Sequence, residues 1–167
     1  MLLPDYFLNS VFDVDLMFLK KNNIKAVIFD IDNTLVGFKI AKPTDQVLNY
    51  INTLKENGIK VAVASNNNKD RVSLFCEKLD VPYVYRACKP LPFALIGLCK
   101  KMNVKTKHTV LVGDQVYTDT LGANICGMTS VMVDIIDTKE NLTFRIKRTL
   151  EKPVIKAKKR KDKKKND

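Results

Sequence analysis

The sequence predicts a doubly wound α/β fold, and two patterns in the chain support this fold class. Five short runs of apolar residues are nearly continuous, as expected of strands that are covered on both faces of a parallel sheet. Segments with helical periodicity lie between these runs, and parallel strands need such crossover connections. The 167 residues favour one domain. We therefore expect a Rossmann-like parallel sheet of about five strands with helices on both faces.

Strands and helices are predicted to alternate along the chain. The predicted strands are residues 25–30, 60–65, 83–86, 109–114 and 130–135. The predicted helices are residues 44–58, 69–80, 90–103, 118–127 and 139–152. Thr44 is a suitable N-cap and Gly58 a suitable stop signal for the helix at 44–58.

The two ends of the chain are predicted to differ from its centre. An amphipathic helix is expected near residues 9–21, so residues 1–24 are interpreted as a helical extension before the first strand. The domain would then cover residues 1–152. From residue 153 the chain loses apolar content and becomes rich in lysine, which predicts a disordered basic tail over 153–167.

Composition and charge argue against a membrane-spanning, secreted or zinc-binding protein. No apolar run approaches the ~18 residues of a transmembrane helix, and the first residues lack the pattern of a secretory signal, so we expect a cytoplasmic protein. The four cysteines form no C-x-x-C pair, which favours reduced thiols over a zinc or redox site. Net charge is +11, and residues 151–167 hold nine Lys or Arg against three Asp or Glu.

Polar and ionisable side chains follow four of the predicted strands. Ligands of open α/β sheets bind beyond the carboxyl ends of the strands, so these side chains are expected to converge at one edge. In chain order they are Asp30, Asp32, Ser65, Asn66, Lys89, Asp114 and Asp119.

Three of these residues would bring carboxylates close together. Asp30 and Asp32 are two apart and point to one face if the backbone is extended, while Asp114 ends a neighbouring strand. Such a group cannot stay fully ionised without a cation, and Mg²⁺ prefers oxygen ligands. Ser65 and the backbone amides of the asparagines after it can bind phosphate, for which Lys89 offers a positive charge.

Four motifs in this region resemble those of the haloacid dehalogenase superfamily of phosphatases. They are DIDNTL at 30–35, Ser65 after an apolar strand, Lys89-Pro90, and VGDQVYTD at 112–119. The segment LLPDYFLNSVFDVD and the GDQ-x-x-TD form also resemble the narrower YqeG family of small bacterial phosphatases, of the capless subclass IIIA. That family is related to mitochondrial phosphatidylglycerophosphate phosphatases.

The resemblance implies a two-step phosphoryl transfer. Asp30 would be the nucleophile that forms an aspartyl-phosphate, and Asp32 would protonate the leaving oxygen and then act as base for water. Ser65 would bind the phosphate, and Lys89 would stabilise the charge on the transferring group. From its position next to Ser65, Asn66 is a further candidate for binding the substrate. An acid at position 32 favours a phosphatase or a phosphomutase within the superfamily.

The resemblance also implies a Mg²⁺ site. Asp114, the Asp30 carboxylate and the backbone carbonyl of Asp32 would be its protein ligands, and Asp119 would support the water shell of the metal. Thr34 would help to fix the loop that carries Asp30.

The spacing of the motifs leaves no room for a sizeable cap domain. The chain between Asp32 and the second strand, and between Ser65 and Lys89, holds little more than one helix each. Since phosphomutases of this superfamily usually carry a cap, a phosphatase is preferred. An open cleft suits a bulky substrate such as a phospholipid head group, a phosphoprotein or a nucleic-acid end. Phosphatidylglycerophosphate is the family-based candidate.

A second class of function stays open at this point. The domain could be chiefly a binding module with weak or vestigial phosphatase activity. The basic tail could be a solvated terminus, could contact anionic lipid at the inner face of the membrane, or could contact RNA.

Overall fold

The computed structural model describes residues 2–137, Thr149, Glu151 and residues 153–157. Its strands are β1 (Tyr6–Leu8), β2 (Ala26–Phe29), β3 (Lys60–Ala64), β4 (Tyr83–Val84), β5 (Thr109–Gly113) and β6 (Thr129–Val133). Its helices are α1 (Leu16–Lys21), α2 (Asp45–Glu56), α3 (Lys69–Cys76), α4 (Pro92–Lys101) and α5 (Leu121–Cys126). Short 3₁₀ turns cover Val11–Asp13 and Thr106–His108, and a π-helical turn covers Val116–Thr120.

All strand pairs in the sheet are parallel, in the order β1-β6-β5-β2-β3-β4. The doubly wound α/β prediction is therefore confirmed, with six strands instead of about five. Phe29 of β2 is in register with Val63 of β3 and Val112 of β5. The carboxyl ends of these three central strands consequently stop at one level.

Two apolar layers cover the sheet. Side chains of β2 alternate between them, because Val27 and Phe29 join one buried cluster while Ala26 and Ile28 join the other. The first layer is covered by α1, α2 and α3, and the second by α4 and α5. The alternation of helices on both faces explains why the strands are apolar on both sides.

Local sequence signals correctly predicted where most helices and strands begin and end. The Thr44 hydroxyl accepts a hydrogen bond from the backbone N–H of Val47 at 3.3 Å, so it caps α2 as expected. Gly58 follows the helix with φ of 79°, a conformation that glycine adopts without strain.

The N-terminal segment differs from its prediction as a helical extension. Residues 6–8 form β1, which pairs with β6 at the edge of the sheet, before the 3₁₀ turn and the short α1. The Asp5 carboxylate accepts hydrogen bonds from the backbone N–H and the hydroxyl of Ser130, at 2.9 and 3.0 Å. These long-range contacts fix the strand, and a three-residue apolar run does not reveal them.

The C-terminal predictions are only partly covered by the described residues. The predicted helix at 139–152 falls mostly outside them, although Thr149 and Glu151 are helical. Residues 153–157 are also helical, which corrects the expectation of disorder from residue 153. Val154 and Ile155 are half-buried, so this part of the segment packs by its apolar side chains. The rest of the basic tail, 158–167, lies outside the described residues.

Over the described ranges, no helix combines the length and the apolar character that crossing a bilayer requires.

Candidate active site

The side chains predicted from the strand ends meet at one edge of the sheet. Asp30 directly follows β2, Ser65 follows β3, and Asp114 follows β5. Lys89 reaches the same place from the loop after β4. All four are buried, with exposed fractions of 6% for Asp30, 2% for Ser65, 0% for Asp114 and 5% for Lys89.

A tight turn after β2 holds Asp30 and its neighbours. The Asp30 N–H donates to the carbonyl of Val112 at 2.9 Å, which extends the sheet by one step. The backbone N–H groups of Leu35 and Val36 then return to the Ile31 carbonyl at 3.0 and 3.2 Å. Asn33 has φ of 60°, and asparagine tolerates this left-handed conformation better than most residues.

Lys89 bridges two buried carboxylates at this edge. Its Nζ lies 2.8 Å from Oδ1 of Asp30 and 2.6 Å from Oδ1 of Asp119. Oxygens of Asp30, Asp114 and Asp119 all lie within 4.8 Å of one another. The residues therefore form one compact group of three acids and one base.

Burial raises the pKa of Asp30 to about 7, although Lys89 acts in the opposite direction. The negative charges of Asp119 and Asp32 add to the upward shift. Burial also opposes the charge on Lys89, but Asp119 and Asp30 outweigh it and raise the Lys89 pKa. Lys89 is thus charged throughout the physiological range, while Asp30 titrates near neutrality.

The charge balance of the cluster fits a divalent cation. With all three carboxylates ionised, this cluster and Lys89 carry an excess of two negative charges among buried groups, so ionisation of Asp30, whose pKa burial raises to about 7, requires a further positive charge. The donor set consists of carboxylate oxygens, which Mg²⁺ and similar hard cations prefer. The residues present therefore fit the metal that the sequence predicted.

Asp32 makes contacts that the sequence did not indicate. Its Oδ1 accepts from Arg71 Nη2 at 2.9 Å and from Arg71 Nε at 3.3 Å, and its Oδ2 accepts from Asn67 Nδ2 at 3.1 Å. The Asp32 carboxylate is therefore outside the cluster of three acids, and only its backbone carbonyl could join the metal ligands. A lone arginine six residues after Ser65 carries no recognisable sequence signal.

The loop after β3 supports Lys89 as well. The Asn66 side chain accepts from the Lys89 N–H at 2.8 Å and donates to the Lys89 carbonyl at 3.1 Å. The Asn66 amide thus holds the backbone of Lys89 on both sides. The Ser65 hydroxyl accepts from the Asn67 N–H at 3.1 Å, so its own proton can still be donated to a ligand.

Three further contacts position Asp114 and Asp119 in the site. Thr34 donates to Oδ1 of Asp114 at 3.3 Å, so it ties the turn after β2 to the end of β5. Asp119 lies so close to Gly113 that a Cβ at position 113 would be 2.3 Å from its Cγ. The Asp119 Oδ2 also accepts from the Gln115 N–H at 3.2 Å. Gly113 therefore makes room for the Asp119 carboxylate.

Arg86, His108 and the four cysteines lie outside the cluster of acids around Lys89. Arg86 is exposed, and the ring of His108 contacts the Asn23 carbonyl at 3.0 Å. Cys76, Cys88, Cys99 and Cys126 are free thiols in the structure.

Comparisons with known proteins identify the family. The family model described as haloacid dehalogenase-like hydrolase matches residues 37–127. The probable phosphatase YqeG of Bacillus subtilis (strain 168) is 37% identical over 159 residues, which cover 95% of this chain and 92% of that protein.

Solved structures agree at the level of the fold. The deoxy-D-mannose-octulosonate 8-phosphate phosphatase YrbI of Haemophilus influenzae, in its cobalt-bound form, matches with a TM-score of 0.58 at 20% identity, covering 83% of this chain and 91% of that chain. A putative subfamily III A hydrolase of Legionella pneumophila matches with a TM-score of 0.53 at 18% identity, covering 71% and 70%. The resemblance read from the four motifs is confirmed: the chain belongs to the haloacid dehalogenase-like hydrolases.

Proposed function

We propose that this hydrolase is a Mg²⁺-dependent phosphomonoesterase that works through an aspartyl-phosphate on Asp30. The observation that carries the proposal is the buried cluster of Asp30, Asp114, Asp119 and Lys89 at the carboxyl edge of the sheet. The 37% identity to a probable phosphatase supports the same reaction class.

In the first step, a carboxylate oxygen of Asp30 attacks the phosphorus and the bond to the leaving oxygen breaks. Asp32, in its protonated form, gives its proton to that oxygen, so the alcohol departs uncharged, and Asp32 regains a proton from water in the second step. Lys89 Nζ, at 2.8 Å from Asp30, faces the negative charge that develops on the transferring group.

In the second step, water attacks the phosphorus of the aspartyl-phosphate. Asp32 takes a proton from that water, and the bond between phosphorus and the Asp30 oxygen breaks to release inorganic phosphate. The Ser65 hydroxyl donates a hydrogen bond to a phosphate oxygen in both steps. A divalent cation held by Asp30, Asp114 and Asp119 would offset the charge of the phosphate when it is bound.

Phosphate release from p-nitrophenyl phosphate tests this reaction. We expect activity that needs Mg²⁺ and is removed by EDTA. Asp30→Asn should lose essentially all turnover, whereas the exposed Asp45→Asn should keep it. Acid quenching during turnover should trap phosphate on the wild type and not on Asp30→Asn. Full activity of Asp30→Asn would contradict the mechanism.

For the substrate we propose a bulky phosphomonoester, with a lipid phosphate such as phosphatidylglycerophosphate as the candidate. Exposed apolar side chains lie in the segments that follow the carboxyl ends of β2, β4, β5 and β6; they are Phe38, Ile40, Tyr85, Leu91, Phe93, Tyr117 and Ile136. Lys39, Lys42 and Arg86 lie exposed in the same segments. This mixture of apolar and basic side chains suits a phosphate group attached to an apolar body.

The ratio of kcat/KM for a lipid phosphate in mixed micelles to kcat/KM for p-nitrophenyl phosphate tests the substrate class. Phe93→Ala, at a side chain that is 79% exposed, should lower this ratio. Ile125→Ala, at an exposed side chain near the end of α5, should leave it unchanged. A wild type that hydrolyses soluble sugar phosphates as well as the lipid would count against a lipid substrate.

We also propose that the basic residues of 153–167 attract an anionic lipid surface. A chain ending at residue 157 should bind vesicles containing anionic lipid less tightly, and added salt should weaken the binding of the full chain. Salt-sensitive binding of RNA by the full chain, without vesicle binding, would favour the binding-module alternative, especially if no phosphate ester is turned over.

A further inference from the structure

Three hydrogen-bond donors from one segment converge on Asp32. Arg71 supplies two N–H groups to Oδ1 and Asn67 supplies one to Oδ2, at 2.9 to 3.3 Å. Both carboxylate oxygens are thereby engaged from the side of α3. The side chains of Asp32 and Arg71 are each 14% exposed, so water competes little for these bonds.

Arg71 is itself held firmly in place. Its Nη1 donates to the carbonyl of Ala41 at 2.9 Å, and its guanidinium lies 5.5 Å from the centre of the Phe75 ring. Its backbone N–H donates to Asn68 Oδ1 at 2.9 Å, which fixes the start of α3. The guanidinium therefore joins three parts of the molecule, namely helix α3, Asp32 and the loop at Ala41.

Asp32 needs such support because it lies outside regular structure. Among the described residues it pairs with Val36 alone, through an isolated bridge within the tight turn after β2. A general acid must stay within hydrogen-bond reach of the leaving oxygen, and small misplacements cost large factors in rate. An arginine whose planar fork fits a carboxylate is well suited to hold one orientation.

We propose that Arg71 is a positioning residue that fixes the Asp32 carboxylate for proton transfer and anchors the loop 37–43 through Ala41. The proposal rests on the proposed function, because it concerns the acid and base of that reaction. A plain stabilising ion pair would not link Asp32 to this loop. The loop carries the exposed Phe38 and Ile40, so its anchoring keeps one wall of the cleft in register with Asp32.

Comparing substrates with different leaving groups distinguishes a positioning role of Arg71 from a merely structural one. p-Nitrophenol departs readily without a proton, whereas a simple alcohol needs one. Arg71→Met should therefore lower kcat/KM by about 10²-fold or more for an alkyl phosphate, within the range of general acid catalysis, and by less than about tenfold for p-nitrophenyl phosphate. Arg71→Lys, which keeps a donor near Asp32, should recover part of the loss with the alkyl ester.

The second step and the loop give independent readouts. Because Asp32 also serves as base for water, acid-quenched Arg71→Met should carry more trapped phosphate than wild type during turnover of p-nitrophenyl phosphate. Loss of the bond to Ala41 should speed tryptic cleavage after Lys39 in both Arg71 variants, since lysine cannot reach Asp32 and Ala41 together. Lys78→Met, at an exposed lysine just after α3, should match wild type in every assay.

Equal losses with both esters in a folded Arg71→Met protein would overturn the positioning role, and so would unchanged activity. An unchanged rate of cleavage after Lys39 would overturn the anchoring of the loop. The proposed function fails through other results. A wild type without turnover, or an active Asp30→Asn, would contradict the aspartyl-phosphate reaction, whatever the Arg71 variants do.

Discussion

At the scale of single residues, the buried Lys89 holds the resting site together. It contacts Asp30 and Asp119 at 2.8 and 2.6 Å, and all three side chains are buried. Lys89→Met would leave two carboxylates buried without an opposing charge. In the presence of EDTA we expect a loss of about 3–5 kcal/mol in the free energy of unfolding, measured by urea titration.

A partly exposed lysine provides the control for Lys89→Met. Lys55 pairs with Asp80 at 3.7 Å and donates to the carbonyls of Leu79 and Asp80 at 3.1 Å, and its side chain is 32% exposed, so Lys55→Met should cost much less than Lys89→Met. Equal effects of the two substitutions would show that the buried contacts of Lys89 are no stronger than those of a partly exposed lysine. Mg²⁺ should restore part of the stability of Lys89→Met, because it replaces the missing positive charge.

The pKa of Asp30 predicts how stability depends on pH without metal. Burial raises this pKa from 3.8 to about 7, so between these values the folded chain keeps a proton that the unfolded chain has released. The stabilisation from this proton is complete below about pH 4 and is lost as the pH rises through about 7. The free energy of unfolding should therefore fall across this window in EDTA.

Asp30→Asn isolates this contribution, because it removes the titrating group and keeps the shape of the side chain. The stability of the variant relative to wild type should rise with pH across the same window, as measured by urea unfolding at several pH values. Wild type that gains stability relative to Asp30→Asn as the pH rises would contradict the raised pKa.

The sequence predicts those residues of the site that directly follow a strand, and it misses those that reach the site from other segments. Asp30, Ser65 and Asp114 directly follow apolar strands, so topology alone brings them together. Arg71 and Asn67 reach the site by side-chain geometry, from a helix and a loop that carry no motif. Their contacts with Asp32 depend on rotamers and on the packing of α3, which spacing along the chain does not encode.

At the scale of secondary-structure elements, the turn after β5 depends on Gly113 having no side chain. The Asp119 carboxylate occupies the space next to Gly113 where a Cβ would lie, at 2.3 Å from its Cγ. Gly113→Ala should displace Asp119 and lower both thermal stability and the affinity for Mg²⁺, measured by calorimetric titration. The displacement should also weaken the contact between Asp119 and Lys89.

Gly97 is the matched control for Gly113. It lies inside α4 with no atom within 4 Å of a Cβ at its position. Gly97→Ala should stabilise the protein by roughly 0.5–1 kcal/mol, because alanine has the higher helix propensity, and should leave Mg²⁺ affinity unchanged. Retained Mg²⁺ affinity in Gly113→Ala would show that Asp119 is not needed at its present position.

Prediction of the elements succeeded where local signals are strong. The Thr44 cap, the Gly58 stop and the five apolar runs each mark an element within a few residues. β1 and the π-helical turn were missed for a shared reason. The first is a three-residue strand held by Ser130 and β6, and the second bends around the buried Asp119, so tertiary contacts and not propensity determine both.

At the scale of the whole molecule, two described segments from opposite parts of the chain, β1 and the segment with Glu151, contact the β5–β6 side of the sheet. β1 extends the sheet beside β6, and the buried Glu151 accepts a hydrogen bond from the Val116 N–H at 2.8 Å. Val116 begins the π-helical turn that contains Asp119. The C-terminal segment is therefore connected to the metal side of the site across 35 residues of sequence.

Glu151 gives a prediction that tests this connection. Glu151→Ala removes the acceptor of the buried Val116 N–H and should cost about 1–3 kcal/mol in the free energy of unfolding. It should also lower Mg²⁺ affinity, because the turn with Asp119 loses its anchor. Glu151→Gln keeps an oxygen acceptor and should lose less of both. Lys156→Ala, at an exposed lysine of the same segment, should behave as wild type. Lower stability with unchanged Mg²⁺ affinity in Glu151→Ala would show that the segment supports the fold but not the site.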